Sequence, residues 1–247
     1  MRFIWVYTSL LKLKFRREIL MIRDLIIENG KMIIVLDDKR FLVDTGFAYS
    51  IGEIPEITVG DKNYKLNKSG EIAEANANLL FKEPVCGYIG MDILSEHYFE
   101  FKKKEGKVYI DEAPSSFSSA FALHLDSAPY EGSNLLYSKL AVNGMECPLV
   151  IDSGSAYTYL HHSFTDALEA SGQMRDWNPR MLMLEAPTFD VNIEFDGFKQ
   201  NVNVARMPLS IISMSHRLDT KCFLSPATID SDVFVLDVKN GKAVFAN

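Results

Sequence analysis

Cysteine is scarce. Cys86, Cys147 and Cys222 are the three in 247 residues, too few and too scattered for a disulfide scaffold or a cysteine-based zinc site. That scarcity fits a reducing compartment, so a cytoplasmic protein is expected. Positive charge is also short, with 26 Lys and Arg against 33 Asp and Glu for a net of −7, which speaks against a nucleic-acid partner. The 14 glycines and 9 prolines follow no period, and apolar residues run throughout, so collagen-like and disordered chains are excluded. Phosphate-cradling glycine loops are absent: neither G-x-G-x-x-G nor G-x-x-x-x-G-K-[ST] occurs. No cofactor is expected.

A long hydrophobic run is lacking too. Phe3 to Leu11 falls well short of the ~20 residues that span a bilayer. The basic cluster follows this run, and no small-residue cleavage site succeeds it, so a signal peptide is not expected. Residues 1–23 carry six basic side chains against Glu18, a net of +5, which leaves −12 for the rest of the chain. Two readings stay open for this segment: a basic amphipathic helix on a membrane surface, or an extension upstream of a start at Met21. Strand-like sequence just after Met21 favours the second.

From Leu25 onward the apolar residues come in short runs divided by turn signals. Lys31–Val35 precedes Asp37-Asp38, Glu56–Val59 precedes Gly60-Asp61, and Glu100–Lys104 precedes Glu105-Gly106. Later, Asp190–Phe195 precedes Asp196-Gly197, and Val235–Val238 precedes Asn240-Gly241. Such runs predict hairpins. Helix is predicted only over Ser163–Gly172 and Asp92–His97, so the fold class is all-β with few short helices.

Self-comparison adds an architecture. Residues 97–110 (HYFEFKKKEGKVYI) match 232–245 (DVFVLDVKNGKAVF) without gaps at an offset of 135. Residues 41–49 (FLVDTGFAY) match 149–157 (LVIDSGSAY) at an offset of 108. Order is preserved, and the second half holds 27 extra residues between its landmarks. An internal duplication is therefore expected: one lobe over 24–112, a Ser- and Ala-rich linker over 113–120, and a second lobe over 121–247.

Each half places an aspartate after an apolar strand and before a hydroxyl residue and glycine: Val43-Asp44-Thr45-Gly46 and Ile151-Asp152-Ser153-Gly154. Alone, Asp-Thr-Gly is an ordinary turn. At equivalent points of a duplication, the pair would bring two carboxylates face to face. Here the chain resembles the pepsin/retropepsin family of aspartic proteases, from about Leu25 to Phe245. Gly87-Tyr88-Ile89-Gly90-Met91-Asp92-Ile93-Leu94 is similar to the family's apolar-apolar-Gly segment and following short helix.

The resemblance implies a bilobal pair of acid-protease β barrels, monomeric, in which Asp44 and Asp152 hydrolyse a peptide or protein substrate through an activated water. No metal is implied. It also implies that Thr45 and Ser153 bond across the lobe interface, and that Gly46 and Gly154 keep the loops close to the carboxylates. Ser155 is expected to donate its hydroxyl to Asp152, whereas Phe47, its counterpart, leaves Asp44 without one. Asp44 should therefore be the less acidic partner, with an activity optimum at roughly pH 4–6.5. Two departures, Phe47 and Ser225 (aligned with Gly90), keep a second reading open: an inactive peptide-binding or structural protein on the same fold.

Other features have plainer readings. His161-His162 suits a helix start better than a metal, since adjacent side chains do not converge on one ion. Cys147 and Cys222 read as buried structural thiols, Lys102-Lys103-Lys104 as a solvated hairpin end, and Met174, Met181, Met183 and Met207 as core filling. Tyr64 reads as a strand tyrosine packing a sheet, with a flap tyrosine as the alternative.

Overall fold

The computed structural model describes residues 22–70, 72–73, 76, 81–112, 114–130, 133–178 and 182–247. The N-terminal segment over 1–21 and Met181 lie outside these residues. Ile22 and Arg23, expected in the extension, instead pair with Tyr109 and Val108 and so belong to the first strand.

Each turn foreseen from sequence supplies at least one positive φ, and Glu105-Gly106 and Asn240-Gly241 close four-residue connections. Asp37-Asp38 and Asp196-Gly197 take φ of 50° and 58°, and of 46° and 77°, the geometry whose twist matches flanking strands. The first half runs β1 (Ile22–Glu28), β2 (Lys31–Leu36), β3 (Lys39–Val43), β4 (Ile51–Gly52), β5 (Glu56–Val59), β6 (Lys62–Lys65), β7 (Gly87–Ile89), the single helical turn α1 (Met91–Leu94), β8 (Tyr98–Lys102) and β9 (Lys107–Ile110). The second begins with β10 (Ala120–His124), β11 (Asp126–Tyr130), β12 (Ser133–Val142), β13 (Met145–Ile151) and β14 (Tyr159–Leu160). It continues with β15 (Gly172–Asn178), β16 (Leu182–Phe195), β17 (Phe198–Arg206), α2 (Leu209–Arg217), β18 (Cys222–Leu224), β19 (Val233–Asp237) and β20 (Lys242–Ala246). Strand dominates, as expected, and all five foreseen hairpins form.

Two large sheets organise these strands, with β5 and β6 pairing as a separate two-stranded sheet. One has the order β10-β20-β19-β8-β9-β1-β2-β3-β7-β4, and the other β11-β12-β13-β18-β14-β17-β16-β15. A further β12–β16 pairing closes six strands of the second into a ring. In the first, β8 and β19 pair side by side (Phe101 opposite Phe234), joining the two halves of the chain. Phe99, Phe101, Phe234 and Phe245 stack along that seam at centroid spacings of 5.6, 5.7 and 5.2 Å. All four are fully buried, so the main core runs across both halves.

Two helix expectations change. The segment 163–172 forms only a short 3-10 turn at its start (His162–Phe164) and then irregular turns into β15. Thr165 explains this: its hydroxyl and carbonyl both accept from the Arg206 guanidinium, at 3.0 and 3.2 Å. Side-chain competition of this kind draws the backbone out of a helical ladder. The longest helix among the described residues, α2, was not foreseen. It buries only Ile211 and Ser215 and leaves Leu209 exposed. Among the described residues no helix is long and apolar enough to cross a membrane.

Candidate active site

Two short parallel pairings deliver the aspartates. β3 runs beside β7 with Val43 opposite Ile89, and the Asp44 N–H donates to the Ile89 carbonyl at 3.0 Å. β13 runs beside β18 with Ile151 opposite Leu224, and the Asp152 N–H donates to the Leu224 carbonyl at 2.9 Å. Parallel strands covered on both faces need continuous apolar sequence. Phe41-Leu42-Val43 and Leu149-Val150-Ile151 supply it, all buried. Each aspartate is thus the first polar residue after a buried strand.

Beyond them the two loops lock together. The Thr45 N–H donates to Ser153 Oγ at 3.0 Å, and the Ser153 N–H donates to Thr45 Oγ1 at 2.9 Å. Each hydroxyl in turn donates to the carbonyl two residues before the other: Thr45 Oγ1 to Ile151 (2.8 Å) and Ser153 Oγ to Val43 (2.8 Å). Both side chains are essentially buried. This reciprocal set of four bonds fixes the loops against each other.

The glycines set the approach of the carboxylates. A Cβ on Gly154 would lie 2.3 Å from Asp44 Oδ2, and one on Gly46 would lie 2.7 Å from Asp152 Oδ1. Each carboxylate therefore rests over the opposite loop's glycine, where only a hydrogen fits. Each also accepts from its own glycine: Gly46 N–H to Asp44 at 2.9 Å, and Gly154 N–H to Asp152 at 3.1 Å. The two carboxylates thus sit on facing loops, each over the other's glycine. Burial, then the charge of Asp152, raises the Asp44 carboxyl well above its ordinary range. Burial also raises Asp152, while Lys31 and the Gly154 and Ser155 N–H groups oppose it. Burial thus raises both members of the pair.

The hydroxyl bond expected from Ser155 to Asp152 is not made. The Ser155 hydroxyl donates to the Tyr157 carbonyl at 2.8 Å, not to Asp152; its backbone N–H is what favours the Asp152 anion. Phe47 packs edge-on against Tyr88 at 5.9 Å. Ser225 also behaves differently from its aligned glycine. At Gly90 a Cβ would lie 2.7 Å from the Tyr49 carbonyl and 2.8 Å from the Phe47 oxygen. Ser225 is fully buried and donates its hydroxyl to the Ser155 carbonyl at 2.6 Å. The serine supports its loop by a hydrogen bond where the glycine does so by close contact.

Lys31, Asp176 and Trp177 were missed. Lys31, which opens β2, is buried; its Nζ lies 2.7 Å from the Gly154 carbonyl and 3.0 Å from Asp176. Asp176 in β15 accepts from the Ala156 N–H, the Trp177 N–H and the Tyr159 hydroxyl. Trp177 inserts into a first-half cluster with Ile33, Leu42, Ile51, Phe81 and Tyr88. Nothing local marked them, because Lys31 after an Asn-Gly turn reads as a solvent-facing strand start.

The remaining candidates do not join the site. The Tyr64 hydroxyl binds Glu96 at 3.0 Å and meets His97 at 2.7 Å, so it packs a sheet. His161 starts its 3-10 turn by accepting from the Ser163 N–H. Among the described residues no group of three His, Cys, Asp or Glu side chains is arranged to hold a metal ion. Cys147 and Cys222 are buried neighbours, and burial pushes the Cys222 thiol up, away from a reactive thiolate. No protein-family model matches the sequence, and no curated protein matches it.

Proposed function

We propose that this chain is an aspartic endopeptidase of the pepsin/retropepsin type, with two lobes related by an internal duplication and Asp44 and Asp152 as its catalytic pair. The observation that carries the reading is the seating of each carboxylate over the opposite loop's glycine, held by the reciprocal Thr45–Ser153 bonds. Two carboxyls so placed cannot both ionise readily, so over a broad range the pair carries one proton. The duplication is supported by pairings that recur at the sequence offsets: β3–β7 with β13–β18, and Asp44→Ile89 with Asp152→Leu224.

In the reaction the ionised member, Asp152, takes a proton from a water held between the carboxyls, and the water oxygen attacks the scissile carbonyl carbon. Asp44, holding the shared proton, donates it toward the carbonyl oxygen. Proton return to the departing amine then breaks the C–N bond, with no covalent intermediate. The Gly46 and Gly154 N–H groups keep each carboxylate in place throughout.

Incubation of the purified chain with a mixed peptide library, followed by mass spectrometry from pH 3 to 8, tests this. Cleavage is expected with an optimum at roughly pH 4–6.5, and both Asp44→Asn and Asp152→Asn should abolish it while remaining folded. An absence of cleavage across that range, or cleavage persisting in either variant, overturns the assignment. Binding of library peptides without cleavage would favour the non-hydrolytic reading.

A further inference from the structure

Lys31 is a buried cation held in place from three elements of the fold. It follows the Asn29-Gly30 turn between β1 and β2, which presses on the loop after Asp152: a Cβ on Gly30 would lie 2.9 Å from the Ala156 carbonyl oxygen. Its ammonium donates to the Gly154 carbonyl, part of the glycine on which the Asp44 carboxylate rests. Its counter-ion Asp176 comes from β15 and is fixed by the N–H of Ala156 in that same loop. Lys31 and Asp176 are both more than nine-tenths buried.

We propose that Lys31, clamped between Asp176 and the Gly154 carbonyl, is a positioning residue that seats the Asp152 loop beneath Asp44 and supplies the counter-charge for the pair's single negative charge. The proposal rests on the peptidase reading and deepens it. The titratable groups around the ammonium are Asp44 after β3, Asp152 after β13 and Asp176 on β15, with the Tyr159 hydroxyl of β14 bound to Asp176. Three carboxyls share one buried cation. After burial, Lys31 is the largest influence on Asp152 and lowers it, whereas Asp176 raises it. Removing the cation and removing its counter-ion should therefore act with opposite sign.

Carboxyl-carbon NMR of the full chain with labelled aspartate, assigned through Asp44→Asn and Asp152→Asn, reads this without substrate. Lys31→Met should raise the ionisation that gives the pair its charge by about one pH unit, a tenfold change in proton affinity. Asp176→Asn, which keeps Lys31 and one carbonyl oxygen to accept from the Ala156 N–H and the Tyr159 hydroxyl, should lower it. Lys31→Arg should stay near wild type. Should Lys31→Met fail to fold, comparison of Asp176→Asn with K31M/D176N isolates the cation, and the upward shift is expected there. Shifts of the same sign in Lys31→Met and Asp176→Asn, or no difference between Asp176→Asn and the double variant, would mean that the ion pair only braces the fold. A wild-type titration with two independent carboxyls at ordinary values removes the catalytic pair itself, and the role of Lys31 with it. A coupled wild-type titration with unmoved variants removes the role of Lys31 alone.

Discussion

Burial and the neighbouring Asp152 charge raise the Asp44 carboxyl above its ordinary value of 3.8, which makes folding itself pH-dependent. Above that value the unfolded chain gives up the Asp44 proton while the native chain keeps it. The native state then binds more protons, so stability falls as pH rises from about 4 through the raised native value. Asparagine cannot ionise and can donate to Asp152. Asp44→Asn should therefore match wild type below about pH 4 and exceed it by about 2 kcal/mol at pH 7, read by urea denaturation at several pH values. Equal stability at pH 7 would mean that the carboxyl is not held in its protonated form. Phe47 gives a second test at this scale. Because the Ser155 hydroxyl serves the Tyr157 carbonyl, a serine at 47 has no reason to reach Asp44. Phe47→Ser should leave the acidic limb of a cleavage profile in place and cost stability through the lost Tyr88 contact. A limb displaced downward would restore the hydroxyl-donor account.

At the scale of elements, legibility followed how local the signal was. Asp37-Asp38, Gly60-Asp61 and Asp196-Gly197 carry their turns in two residues, and those hairpins were readable. So were the aspartate loops, whose apolar strand, acid, hydroxyl and glycine are contiguous in sequence. The Thr45–Ser153 exchange spans 108 positions and was reached through resemblance, not through any local pattern. Lys31 and Asp176 lie 145 positions apart on different strands, and neither carries a local mark. The segment after His161 misled because its helical composition is overruled by a distant guanidinium, Arg206. The β15–β16 hairpin shows the same dependence on partners. β15 is the edge strand of its sheet, yet Trp177 near its end is buried among first-half side chains. Trp177→Ala should cost about 3–5 kcal/mol by vacating that cluster, measured by chemical denaturation. A cost under about 1 kcal/mol would mean that the hairpin does not depend on this anchor.

Across the whole molecule, the two halves are joined in more than one way. A six-strand run, β10-β20-β19-β8-β9-β1, continues three second-half strands into three first-half strands without a break. The phenylalanine stack crosses the β8–β19 seam, and the Thr45–Ser153 bonds join the halves again at the candidate site. Unfolding either half alone would expose Phe99 and Phe101 or Phe234 and Phe245, together with the unpaired edge of β8 or β19. Fully burying one such aromatic side chain is worth roughly 1.5–3 kcal/mol relative to leaving it exposed, so a half-unfolded intermediate would lose several such contributions at once. Chains of this length often unfold in stages, but here the seam penalises the intermediate. Scanning calorimetry should therefore give a single transition whose calorimetric and van't Hoff enthalpies agree. Phe101→Ala should lower that transition while keeping it single, because the loss is felt by both halves. Two resolved transitions in the wild type would mean that the halves are independently stable and that the shared sheet contributes little to their union.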